Sequence, residues 1–132
     1  MMISSGEPSK NKGLILLVDD EEIVLDVGTR MLEKIGYSVF KARNGKEAIA
    51  IFRAHKSRVN LVILDLRMPE MDGECAYELL KEIKPDVKVL ISSGCSLRDQ
   101  ASQKLKYGCS GFIQKPFNLK ALSQKVEALI CG

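Results

Sequence analysis

The chain has 132 residues, of which 45% are hydrophobic and 28% charged, and a net charge of +3 at pH 7. This is the size of one domain with a proper core, and the charge is too mild to argue for a nucleic-acid surface. No apolar stretch approaches a membrane span, and the N-terminus lacks the apolar centre of a signal peptide. Cys75, Cys95, Cys109 and Cys131 show no Cys-x-x-Cys spacing, and His55 is the sole histidine. This argues against zinc and for free buried thiols in a reducing cytoplasm.

Residues 1–12 are polar, with Gly6, Pro8, Ser4, Ser5 and Ser9, and read as a flexible tail or linker before a single domain over 13–132. The first strand-like run is Leu14–Val18. A helix follows over 21–35, with Val24, Val27, Met31 and Ile35 on one face, and Gly36 stops it. Residues 37–41 alternate in polarity and suit an edge strand. A second helix over 44–56 carries Ala48, Ile51 and Phe52. The run over 61–64 is apolar throughout. A third helix over 72–84 shows a stripe of Ala76, Leu79, Leu80 and Ile83, and Pro85 terminates it. The run over 87–91 predicts the fourth strand. A fourth helix over 97–107 carries Leu97, Ala101 and Leu105, and Ser96 with Asp99 resembles a capping box. Gly111–Gln114 predicts the fifth strand. The last helix starts near Asn118 and shows Leu119, Leu122, Val126 and Leu129.

Five strands alternating with five helices imply a parallel sheet covered on both faces. The first, third and fourth runs are apolar nearly throughout, as buried central strands are. The pattern predicts a flavodoxin-like (βα)5 doubly wound α/β sandwich of strand order 2-1-3-4-5. Its ligand site is expected at the carboxyl ends of strands one and three, where the order reverses.

Polar residues stand at those ends. Asp19 and Asp20 follow strand one, Asp65 follows strand three, Ser92 and Ser93 follow strand four, and Lys115 follows strand five. Two carboxylates about 5 Å apart, at an effective dielectric near 20, repel by roughly 3 kcal/mol. Three of them need a cation or must hold a proton. Oxygen-only ligands favour a hard divalent ion, and magnesium suits best because it takes few carboxylates and bridges to phosphoryl oxygens. Plain N-capping is the alternative for Asp19 and Asp20, because Asp20 precedes Glu21 and Glu22 at a helix start. Asp65 is harder to explain as scaffold, since a buried unpaired carboxylate is expensive; its bland alternative is a turn residue before Pro69. A carboxylate can act as a nucleophile and carry a phosphoryl group, with catalysis mostly by positioning and electrostatics. The Ser93 hydroxyl would donate to one phosphoryl oxygen, and Lys115 would offset part of its roughly −2 charge. Taken singly, they read as a turn serine and a solvated lysine.

Four motifs stand in order: Leu16-Leu17-Val18-Asp19-Asp20-Glu21, Asp65-Leu66-Arg67-Met68-Pro69-Glu70-Met71-Asp72-Gly73, Ser92-Ser93-Gly94 and Gln114-Lys115-Pro116-Phe117. From about residue 12 to 131 the chain resembles the receiver domain of two-component response regulators, the CheY-like superfamily. The resemblance implies that Asp65 accepts phosphate from a phosphohistidine. It implies magnesium held by the side chains of Asp20 and Asp65 and by the backbone carbonyl of Arg67, with Asp19 in the outer shell. It makes Ser93 the switch hydroxyl, Lys115 the charge partner and Phe112 the aromatic switch residue, and it implies a cis bond before Pro116. Ser93 stands where threonine is frequent, and Phe112 where tyrosine is. Arg67 and Cys95 occupy positions that tune phosphoryl lifetime in the family.

The expected role is therefore a phosphorylation-controlled switch in a phosphorelay rather than an enzyme, although one that assists its own phosphorylation and dephosphorylation. Phosphorylation would draw Ser93 inward and repack the helix over 97–107 and Phe112. The expected partners are a sensor histidine kinase or histidine phosphotransfer protein and a downstream protein, with no direct nucleic acid and no membrane. The expected state is a monomer or a weak phosphorylation-dependent dimer. An aspartyl-phosphate phosphohydrolase is the rival from another class, but it needs a second aspartate where Arg67 stands. A degenerate receiver that only binds partners is the other rival. The wording around Ser93 and Lys115 resembles hybrid sensor kinase receivers, and a stand-alone regulator is the alternative.

Overall fold

A computed structural model of the chain describes residues 12–65, 73–93 and 110–131. The tail up to residue 11, the expected helix over 97–107, and Arg67, Cys95 and Cys109 lie outside the described residues. Nine elements are described: β1 (Leu14–Val18), α1 (Glu22–Lys34), β2 (Ser38–Ala42), α2 (Gly45–His55), β3 (Val59–Asp65), α3 (Gly73–Ile83), β4 (Val89–Ser93), β5 (Gly111–Gln114) and α4 (Leu119–Cys131). All strand pairs are parallel, and the order is β2-β1-β3-β4-β5, as the run of apolar and alternating segments predicts.

Alternation along β1 builds two cores. Leu14, Leu16 and Val18 join Ala48 and Phe52 of α2 and Ala76 and Leu80 of α3 on one face. Ile15 and Leu17 join Leu25 and Leu32 of α1 and Leu122 and Val126 of α4 on the other. Both faces of β1 are thus dry, which explains its unbroken apolar sequence.

Element boundaries follow local hydrogen bonding. The Val87 N–H donates to the Lys84 carbonyl at 2.9 Å, so residue 87 belongs to the turn after α3 and β4 begins two residues later than expected. Asn44 caps α2 by accepting from the Glu47 N–H at 2.9 Å, and Glu47 Oε1 accepts from the Arg43 N–H in return. Asn118 caps α4 through the Ala121 N–H at 2.8 Å. Gly36, at φ 105°, closes α1, with the Gly36 and Tyr37 N–H groups donating to the Glu33 and Leu32 carbonyls.

Two further expectations are corrected. Cys75, expected among buried thiols, is exposed. The fully buried face of α1 is Leu25, Gly28 and Leu32, so of the expected stripe of Val24, Val27, Met31 and Ile35 only the last two pack against the core. Met31 and Ile35 flank the core, whereas Val27 is 43% exposed and Ile23 69% exposed. The two stripes differ by one residue, or about 100° of helix rotation. Gly28 hides the true stripe because it adds no hydrophobicity. Its missing side chain lets α1 sit close to β1, where an added Cβ would lie 2.9 Å from Leu17 Cδ2.

Candidate functional site

Parallel register carries the strand ends to one level. Val18 pairs with Leu64, Asp65 with Ser92, and Ser93 with Gln114. The next residue after Val18 is Asp19 and the next after Gln114 is Lys115, so both emerge at the edge where β3 ends in Asp65. Asp19 is 1% exposed and Asp65 3% exposed, while Asp20 is exposed. One oxygen from each of Asp19, Asp20 and Asp65 lies within 4.8 Å of the other two.

Lys115 reaches into this group. Its ammonium donates to Asp19 Oδ2 at 3.0 Å and to Asp65 Oδ2 at 3.3 Å, and it stands 3.6 Å from Glu21 Oε1. Burial is the largest single influence on this ammonium and lowers its pKa. The Asp19 hydrogen bond and the charges of Asp65 and Asp19 outweigh it, so the pKa lies above the ordinary lysine value. The solvated-lysine reading therefore fails, since the side chain is only 17% exposed. The Lys115–Pro116 peptide is cis, as the resemblance implies.

Asp19 does two jobs. Its Oδ2 takes the Lys115 hydrogen bond, and its Oδ1 accepts the Glu21 N–H at 2.9 Å. Helix capping is thus part of its role, although Glu21, the N-cap of α1, makes no side-chain cap itself. Asp20 stays open to solvent. Three carboxylates against one ammonium leave the site negative, and all donors are hard oxygens. That donor chemistry fits magnesium.

Of the other expected site residues, Ser93 closes β4 one residue beyond the partner of Asp65, which brings its backbone to the same edge. Phe112 pairs with Ile91 and is buried in the core on the α2 and α3 side. Arg67 lies outside the described residues. Sequence reasoning missed Glu21 as a neighbour of Lys115. It also missed a cleft of about 350 Å3 lined by Glu21, Val24, Val27, Lys115, Pro116 and Phe117 among others. The corrected phase of α1, which turns Val27 outward, is the signal for that cleft.

Residues 15–127 match the family model of the response regulator receiver domain. The chain is 37% identical over 117 residues to the sensor kinase CckA of Brucella abortus, covering 88% of this chain and 12% of that protein. It is 34% identical over 123 residues to a probable transcriptional regulator of Guillardia theta, covering 92% of this chain and 46% of that one. The chain thus spans half or less of the length of these relatives. Among solved structures, a receiver domain protein from Clostridium thermocellum superposes with a TM-score of 0.83 at 29% identity, covering 90% and 94% of the two chains. The CheX–CheY–BeF3–magnesium complex from Borrelia burgdorferi also gives 0.83, at 25% identity, covering 89% of each chain. Sequence, strand order and site geometry agree: the chain belongs to the response regulator receiver domain family, the phosphoacceptor signalling modules of two-component systems.

Proposed function

We propose that Asp65 is the phosphoacceptor of this receiver and that Lys115 and Ser93 read its phosphorylation. The observation that carries the proposal is the Lys115 ammonium held between two buried carboxylates, Asp19 and Asp65, beside an exposed third, Asp20. In the transfer, a carboxylate oxygen of Asp65 forms a bond to phosphorus. The bond from phosphorus to the donor's imidazole nitrogen breaks, and the nitrogen keeps that electron pair. Lys115 moves from pairing with carboxylates to pairing with the phosphoryl oxygens, and the Ser93 hydroxyl donates to one of them.

Receiver domains as a family bind magnesium, and the cluster here has the donors for it. Asp20 and Asp65 would hold the ion with the Arg67 backbone carbonyl. Asp19, with both oxygens already accepting hydrogen bonds, suits an outer-shell role. When bound, magnesium supplies positive charge against the incoming phosphoryl group.

Receiver domains act with kinases and downstream partners. For this chain the donor is a sensor histidine kinase or histidine phosphotransfer protein, and the output is a protein partner that meets the face reorganised with Phe112. The chain is a cytoplasmic switch, without turnover of free phosphate esters. Among the described residues no helix is long and apolar enough to cross a membrane. Radiolabelled acetyl phosphate with magnesium should label the wild type through a hydroxylamine-labile bond, and Asp65→Asn should take no label. An unlabelled wild type, or equal labelling of Asp65→Asn, overturns the assignment.

A further inference from the structure

Glu21 is, among the described residues, the carboxylate near Lys115 that stands outside the metal-fitting cluster. Its Oε1 lies 3.6 Å from the Lys115 ammonium, and its side chain is 61% exposed. Its position is set from the buried side, because its N–H is held by Asp19 Oδ1. The neighbouring exposed acids have other partners. Glu22 pairs with Arg43 at 2.9 Å, and Asp20 belongs to the cluster suited to a cation. Glu21 and Lys115 together form the polar part of the lining of the otherwise apolar cleft between α1 and the segment after β5. On the proposed reading of Asp65 as phosphoacceptor, an arriving phosphoryl group would draw the Lys115 ammonium toward itself and leave the Glu21 charge uncompensated at the mouth of the site.

We propose that Glu21 is a specificity-determining residue that sets the phosphodonor preference of this receiver, disfavouring strongly anionic donors relative to donors of lower charge. It acts in two ways. It repels the donor's negative charge directly, and it shares the ammonium that would otherwise meet the phosphoryl oxygens in full. Both effects grow with the donor's charge. This inference rests on the reading of Asp65 as phosphoacceptor. It adds a selectivity that the cluster of Asp19, Asp20 and Asp65 does not itself explain.

The test compares acetyl phosphate with phosphoramidate, whose protonated nitrogen lowers its net negative charge, as magnesium-dependent donors. Initial phosphorylation rates are measured for wild type, Glu21→Gln and Glu21→Asp. One charge several ångströms away in near-aqueous dielectric predicts that Glu21→Gln raises the acetyl phosphate to phosphoramidate rate ratio about three- to fivefold at low salt. Glu21→Asp keeps the charge and should stay within about twofold of wild type. In about 1 M salt, where screening is nearly complete, the advantage of Glu21→Gln should shrink toward unity. A Glu21→Gln ratio that is unchanged, lowered or independent of salt overturns the inference while leaving Asp65 as phosphoacceptor. A wild type that takes phosphate from neither donor overturns the Asp65 reading and this inference with it.

Discussion

The Lys115 ammonium pairs with Asp19, Glu21 and Asp65, while Asp20 completes the neighbouring acidic cluster without a direct contact to it. One ammonium does not neutralise Asp19, Asp20 and Asp65, so residual repulsion remains among oxygens within 4.8 Å of one another. Asp20 is the most exposed of the three and has the least to lose on neutralisation. Asp20→Asn should therefore stabilise the metal-free protein, by about 1 kcal/mol once solvent screening is allowed for. The same variant should lose most of the stabilisation that magnesium gives. Urea unfolding with EDTA and with magnesium measures both, and a destabilised metal-free Asp20→Asn would contradict the repulsion argument. Apolar strands ending in aspartate made the acids of this site legible in the sequence. The engagement of Lys115 was not legible, because its partners lie 96 and 50 residues away.

Among the elements, the start of β1 shows how a strand end is held in place. The β1–β3 register shifts between Leu14 and Ile15. There Asn60 Oδ1 accepts the Leu14 N–H at 2.8 Å. Gly13 has a φ of 152° and approaches the same oxygen so closely that a Cβ would lie 2.6 Å from it. Asn60→Ala should cost about 1–2 kcal/mol by removing that acceptor. Gly13→Ala should also destabilise, through strain and the clash. The double variant should cost less than the sum, because the clashing oxygen is gone. Chemical denaturation of the three variants gives the coupling, and strict additivity would refute the shared contact. The α1 helix carries the opposite lesson. Its sequence holds two plausible stripes one residue apart. Periodicity alone favoured the more hydrophobic one, whereas close packing of Gly28 against Leu17 selected the other.

For the whole molecule, the acidic cluster of Asp19, Asp20 and Asp65 stands at the ends of β1 and β3, so on the proposed reading a cation bound there would oppose global unfolding. Magnesium at about a hundred times its dissociation constant should raise the unfolding free energy by about 2.7 kcal/mol. EDTA should reverse the gain, and a thermal or urea midpoint indifferent to magnesium would argue against a metal site. Stretches similar to this chain make up 12% of a sensor kinase in one relative and 46% of a probable transcriptional regulator in another.

The sequence by itself determined the alternation of strands and helices, the order of the sheet and the placing of aspartates at strand ends. Hydrophobic periodicity and terminal residues are local signals, and a parallel doubly wound sheet turns them into a single edge. Only the tertiary structure decided that Lys115 is shared by Asp19 and Asp65, that Asp19 also holds the entrance of α1, that Val27 faces outward, and that Glu21 stands beside the ammonium. Those facts depend on register between distant strands and on how closely a helix with a central glycine can pack, and neither is written in the period of a segment.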